Sequence, residues 1–120
     1  MTLQQFYQTI QGDYDGMCSR LVTPERIQRF VLLFPQDDSY LLFVQSMDTG
    51  DAASAFRAIH TLKGLCLNLG FSGMLPLVSQ ITEALRAGQM ELAREAMPQL
   101  AQSYQLHKDA IAQLERTQHG

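Results

Sequence analysis

A histidine, a lysine and a glycine lie close together in the stretch AIHTLKGLCLNLGF, residues 58–71, at a spacing that suits nucleophilic chemistry. His60 and Gly64 are four residues apart and His60 and Lys63 are three apart, so on a helix they occupy neighbouring surface positions. A neutral imidazole is a good nucleophile near pH 7, because its unperturbed pKa is about 6.5. Lys63 would balance part of the charge on a phosphoryl group beside it. The pattern predicts a histidine that exchanges a phosphoryl group.

Gly64 is the least expected residue of this stretch. A glycine inside a helix costs about 1 kcal/mol relative to alanine, and on an outward face it gains no core packing in return. One physical reason for it is room for a bulky partner beside the His60 imidazole. The alternative is the close approach of another helix of the same bundle. Leu67, about one turn further on, is either an exposed apolar contact for that partner or a buried satellite of the core.

The helix that must carry these residues is expected to run from Asp51, as its N-cap, to Leu69. With about 100° per residue, its apolar residues form a seam like that of a coiled coil. This seam consists of Ala55, Ile59, Leu62, Cys66 and Leu69. Because the seam is complete without His60, the imidazole is predicted to face outward, on a surface that also holds Arg57.

Capping and breaking residues divide the rest of the chain into helices, five to seven in all. The expected N-caps are Thr2, Thr23, Asp37 or Asp38, Asp51 and Ser72. Gly50 is expected to end a helix in a left-handed conformation, and Gly70 is expected to end the helix that carries His60. The last helix is expected from Met90 to near Arg116, and Pro98 allows a kink or a break in it.

These elements predict an all-α fold, an up-down-up-down four-helix bundle with additional short N-terminal helices. We expect a single domain over residues 1–120, with residues 1–36 as an N-terminal helical extension and residues 37–116 as the bundle core. Apolar stripes are expected at Ile27, Phe30, Val31 and Phe34, and at Leu41, Leu42, Val44 and Met47. His107, on the last helix, is expected to be structural or exposed.

Composition excludes several classes of function. The net charge of −3, with only two lysines, argues against a nucleic-acid binder. No apolar run approaches a membrane span, and the N-terminus lacks the features of a signal peptide, so we expect a cytoplasmic chain. Cys18 and Cys66 have no metal-ligand spacing and are expected to be free thiols. The sequence contains no P-loop and no kinase glycine loop.

The segment HTLKGLCLNLG, residues 60–70, closely resembles the signature of histidine-containing phosphotransfer (HPt) domains, in which a histidine is followed by two residues, Lys-Gly and a spaced glycine. Upstream, GDAASAFRAIHTLKG resembles the approach of that family to its histidine through a Gly-Asp turn and an alanine-rich helix start. Downstream, ITEALRAGQMELA resembles its helix, glycine turn and final helix. The resemblance spans about residues 37–114 and points to a stand-alone, bacterial-type member.

The resemblance implies an intermediate of a two-component phosphorelay. His60 takes the position of the histidine that accepts a phosphoryl group from a receiver-domain aspartate and passes it to another receiver, and Lys63 and Gly64 match the assisting lysine and the clearing glycine of the family. The chain would be a monomeric phosphoryl carrier without autonomous kinase activity and without a cofactor, since the receiver supplies Mg²⁺. The implied partners are response-regulator receiver domains and a sensor or hybrid histidine kinase.

The surface around His60 is where we expect a receiver to dock. Its expected contact residues are Arg57, Leu67, Asn68 and Phe71. Arg57 can instead be a plain surface charge, and Asn68 either points at the phosphoryl group or is merely exposed. One alternative function is a helical adaptor that binds a receiver without being phosphorylated. Another is a metal-binding or enzymatic bundle, which the lack of a Glu-x-x-His pair or of paired inward carboxylates argues against.

Overall fold

The computed structural model describes residues 1–20 and 23–119, without the side chains of residues 118 and 119. Over these residues the chain is helical and contains no strand, so the predicted all-α class is confirmed. The elements are α1 (Leu3–Thr9), α2 (Tyr14–Ser19), α3 (Pro24–Leu33), a 3₁₀ turn (Phe34–Gln36), α4 (Ser39–Thr49), α5 (Ala52–Leu69), α6 (Leu75–Arg86) and α7 (Met90–His119).

Most helix ends lie where the capping residues predict them. The Thr2 hydroxyl accepts a hydrogen bond from the backbone N–H of the third residue of α1, and the Thr23 hydroxyl does the same for α3. Asp51 caps α5, accepting from the Ser54 N–H at 3.1 Å, and the hydrogen bonds from Ser54 lower the pKa of the Asp51 carboxyl. Gly50 and Gly70 end α4 and α5 with φ angles of +74° and +69°.

The start of α6 differs from the prediction that Ser72 caps it. The Phe71 carbonyl accepts hydrogen bonds from the N–H groups of Met74 and Leu75, both at 3.1 Å. Residues 71–74 therefore form a separate turn, and the helix begins at Leu75 with Met74 in the cap position and no side-chain cap. The Ser72 cap was wrong because this backbone turn already satisfies the first N–H groups.

The last helix, α7, continues without interruption through Pro98. Proline removes one backbone donor and crowds the preceding turn, but it does not break this helix, and its side chain is exposed. α7 can therefore pack along α6 and also receive α1 and α3.

Helices α4, α5, α6 and α7 form the predicted bundle, because each packs against the next along the chain. The rings of Tyr40 on α4 and Tyr104 on α7 stack with centroids 4.0 Å apart, which joins the first and last helices of the bundle. The N-terminal helices lie against it: α1 packs on α7, and α3 contacts both α5 and α7.

All five residues of the predicted α5 seam are buried, and Ala58 joins them. Burial raises the pKa of the Cys66 thiol to about 12, so this thiol stays neutral and packs as a small apolar group. On α4 the predicted stripe was partly wrong. Leu41 and Leu42 are exposed, whereas Phe43 is fully buried four residues before Met47.

An aromatic cluster ties the N-terminal helices to the bundle. Phe71 is fully buried, and its ring lies 6.2 Å from that of Phe6, 5.2 Å from that of Phe34 and 5.0 Å from that of His107. The Tyr7 hydroxyl donates a hydrogen bond of 2.6 Å to the carbonyl oxygen of Leu69. Residues on both sides of the predicted boundary at residue 36 thus share one core; the division into extension and bundle core stays a prediction.

Candidate functional site

His60 lies in the middle of α5 with its side chain exposed to solvent. The residues directly before it in the sequence, Ala58 and Ile59, are buried. The packing of α5 therefore fixes the backbone at His60 and leaves the imidazole on the outer surface, which is the orientation that the seam predicts.

Lys63 and Gly64 lie one turn further along α5, and both are half-buried. A Cβ atom added at Gly64 would meet no described atom within 4 Å apart from its chain neighbours and the adjacent backbone of α5. No other helix among the described residues approaches this glycine, so the alternative of a close helix–helix contact is wrong. The space beside His60 is open to an outside partner.

Three of the four expected docking residues lie on the surface. Leu67 has 47% of its surface exposed, and Arg57 and Asn68 are also exposed. The Arg57 guanidinium donates to the Ser54 hydroxyl at 3.0 Å, one turn back along the same helix.

The fourth expected docking residue, Phe71, does not lie on this surface. Its side chain is fully buried in the aromatic cluster with Phe6, Phe34 and His107. The prediction of Phe71 as a partner contact was therefore wrong. The left-handed turn at Gly70 reverses the chain, which directs the residue after it into the core instead of continuing the surface of α5.

Two residues that the sequence interpretation did not single out belong to the surroundings of His60: Phe56 lies beside the imidazole, and Arg86 lies beside Phe56. The Phe56 ring, half-buried, lies 5.7 Å from the imidazole, centroid to centroid, at an interplanar angle of 40°. The guanidinium carbon of Arg86, at the C-terminal end of α6, lies 5.1 Å from the centroid of the Phe56 ring. The four-residue spacing of Phe56 and His60 is the signal that could have predicted the first contact. The second joins two helices and has no local signal.

Arg20 brings a further cation to the Leu67 end of the site. It follows the last residue of α2, and its guanidinium donates to the carbonyl oxygen of Leu67 at 3.1 Å. The contact spans 47 residues of sequence, so periodicity within α5 gives no indication of it. It places one more positive group at the backbone of the exposed Leu67.

The described residues contain no cluster of histidine, cysteine or acidic side chains arranged to hold a metal ion. Within the same part of the chain, no helix has both the length and the apolar character needed to cross a membrane. Cys18 is exposed and Cys66 is buried, both as free thiols.

Comparison with known proteins assigns the chain to one family. The family model named Hpt domain matches residues 2–117, nearly the whole chain. The chain therefore belongs to the Hpt domain family, as the resemblance of HTLKGLCLNLG predicted. Searches of curated proteins and of solved structures gave no significant match. Membership supports a general role in histidine phosphotransfer, in which family members act as phosphoryl carriers and not as kinases.

Proposed function

We propose that His60 accepts a phosphoryl group from the aspartate of a receiver domain and passes it to the aspartate of another receiver. The observation that carries the proposal is the exposed imidazole of His60, beside Lys63 and the open space at Gly64, in a chain of the Hpt domain family. The chain acts as a cytoplasmic, monomeric carrier between a sensor or hybrid histidine kinase and its response regulators.

The transfer is an in-line substitution at phosphorus. The lone pair of one imidazole nitrogen forms the N–P bond while the O–P bond of the aspartyl phosphate breaks, and its electron pair leaves on the aspartate carboxylate. The other ring nitrogen keeps its proton during the step and releases it to solvent when the ring loses its positive charge. The reverse sequence delivers the group to the next aspartate.

The neighbours of His60 support this step by position and charge, which is how proteins accelerate phosphoryl transfer in general. The Lys63 ammonium balances charge on the phosphoryl oxygens. Gly64 keeps the approach to the imidazole clear. Leu67 provides an apolar contact for the docked receiver, with Arg57 and Asn68 as polar contacts around it.

Mg²⁺ in this proposal belongs to the receiver. The described residues of this chain offer no carboxylate cluster for it, and a receiver that docks over His60 would bring its own ion. The chain itself needs only to present a neutral imidazole and to leave room for the receiver.

The test is incubation with a panel of phosphorylated receiver domains and Mg²⁺, followed by intact mass before and after acid treatment. We expect an acid-labile gain of one phosphoryl group in the wild type and none in His60→Gln. His119→Gln, which removes a different histidine of the sequence, is the matched control and should be phosphorylated as the wild type is. A receiver that binds but never transfers a phosphoryl group would refute the proposal and favour the adaptor function.

A further inference from the structure

The imidazole of His60 is exposed, and its ring is in contact with the ring of Phe56. A centroid distance of 5.7 Å lies within the range of favourable aromatic pairs. Phe56 itself is half-buried and packs against the core, so one side of it is anchored and the other supports the imidazole. The contact restricts a ring that solvent alone would leave free to rotate.

Arg86 holds Phe56 from a second helix. Its guanidinium carbon lies 5.1 Å from the Phe56 centroid, a distance at which a cation is attracted to an aromatic ring. The Arg86 side chain is in turn oriented by Glu83, one turn back on α6, whose carboxylate lies 3.3 Å from its Nε atom. Guanidinium, phenyl ring and imidazole thus form a continuous row from α6 to the phosphorylation site.

We infer that Phe56 is a positioning residue for His60, and that Arg86 keeps Phe56 in place. The inference rests on the proposed function, because it concerns the same histidine. A docked receiver presents its phosphoryl group along one direction, and the ring nitrogen must already point along it. Geometry of this kind is worth large factors in rate, and a misplacement of about 1 Å costs about a hundredfold.

The inference distinguishes between two phosphoryl donors. A receiver domain is held in one orientation by its docking contacts, so its transfer depends on a fixed imidazole. A small donor such as phosphoramidate approaches from many directions, so its reaction needs only an accessible imidazole. Loss of the Phe56 ring should therefore slow transfer from a receiver and leave phosphorylation by phosphoramidate nearly unchanged.

The test compares Phe56→Leu with Phe56→Tyr, after thermal melting has shown that both are folded. With a phosphorylated receiver, transfer to Phe56→Leu should be about tenfold to a hundredfold slower. The loss should appear in the maximal transfer rate at saturating receiver. The receiver concentration that gives half of that maximal rate should not change. Phe56→Tyr keeps the ring and should retain most of the rate. A folded Phe56→Leu at the wild-type rate would overturn the inference, as would an equal loss in both variants.

Arg86→Gln tests the second contact of the row. Loss of a cation–π contact at an exposed site predicts a slower transfer by about two- to fivefold. Arg94→Gln is the matched control, because Arg94 pairs with Glu91 at the same three-residue spacing and 3.2 Å. Equal rates in the two arginine variants would show that Arg86 does not act through Phe56.

The NMR chemical shifts of the His60 ring protons distinguish failure of the inference from failure of the proposed function. The Phe56 ring current should shift these protons in the wild type, and the shift should disappear in Phe56→Leu. Suppose that no receiver phosphorylates the wild type, but the wild type shows the ring-current shift and Phe56→Leu lacks it. The proposed function then fails, whereas the positioning of His60 by Phe56 stands. Absence of the shift in the wild type would overturn the positioning directly.

Discussion

Replacing Gly64 with alanine should make the chain more stable while making it a poorer phosphoryl acceptor from a receiver domain. Gly64 lies within α5, and an added Cβ would meet no described atom within 4 Å apart from its chain neighbours and the adjacent backbone of that helix. The substitution therefore introduces no clash within the chain. It removes the helix-propensity penalty of glycine, which is about 1 kcal/mol relative to alanine.

This gain converts into a measurable change in melting temperature. For a chain of 120 residues, the entropy of unfolding is about 0.25 kcal/mol per kelvin, so 1 kcal/mol raises Tm by about 4 °C. Thermal melting by circular dichroism measures the change directly. A Tm equal to or below that of the wild type would refute the conclusion that the space around Gly64 is open.

Gly88→Ala is the matched control, because its added Cβ would also meet nothing within 4 Å. Gly88 has a φ angle of +73°, however, a left-handed conformation that costs other residues about 1–2 kcal/mol. The same substitution in equally open space should therefore lower Tm by about 4 °C or more. The two glycines differ in backbone conformation, and this difference decides whether alanine raises or lowers Tm.

The functional half of the prediction is tested first with Gly64→Ala, which should slow transfer from a receiver. Gly64→Leu, which places a larger side chain beside His60, is the stronger test. Phosphoryl transfer from a receiver should fall strongly, because the receiver can no longer approach the imidazole. Phosphorylation by phosphoramidate should persist, because a small donor needs little room. Unchanged transfer from the receiver would show that Gly64 does not clear the docking path.

Two further predictions concern buried polar side chains. Burial lowers the pKa of His107. Below about pH 6.5 the unfolded state therefore binds a proton that the folded state does not bind as readily, and the free energy of unfolding falls as the pH falls. This group contributes at most about 1.4 kcal/mol per pH unit to that fall. His107→Leu should reduce that slope in urea titrations between pH 7.5 and pH 5. Tyr7→Phe should cost about 1–3 kcal/mol in the same assay, since it leaves the buried Leu69 carbonyl without its donor.

Each of these predictions has an outcome that contradicts it. Equal slopes with pH in His107→Leu and the wild type would mean that His107 is protonated as easily in the fold as in the unfolded chain. For Tyr7→Phe the matched control is Tyr40→Phe, because the Tyr40 ring is held by stacking on Tyr104. Equal stabilities of the two tyrosine variants would show that the hydroxyl bond to Leu69 contributes nothing measurable.

The sequence predicted most of α5, because its signals are local. The cap at Asp51, the glycine that ends the helix at position 70 and the apolar seam all act within one or two turns. The outward position of His60 follows from the same period. These features required no knowledge of the other helices.

Residues whose environment depends on distant parts of the chain were harder to predict. Phe71 is drawn into the core by rings from α1, the 3₁₀ turn and α7, none of which is near it in sequence. On α4, the two adjacent leucines, Leu41 and Leu42, did not define which face of the helix is buried. In the structure both are exposed, and Phe43 packs in the core instead. The contact of Arg86 with Phe56 joins α6 to α5 and likewise depends on the tertiary fold.

The division of α5 into two faces explains how stability and transfer can change independently. Its buried face, from Ala55 to Leu69, carries the core contacts, so substitutions there act on folding. Its outer face carries His60, with Leu67 exposed and open space at Gly64, so substitutions there remove few contacts within the chain. In the proposed function, a glycine persists on that outer face although alanine would stabilise the helix, because a docked receiver would need the space that alanine would fill.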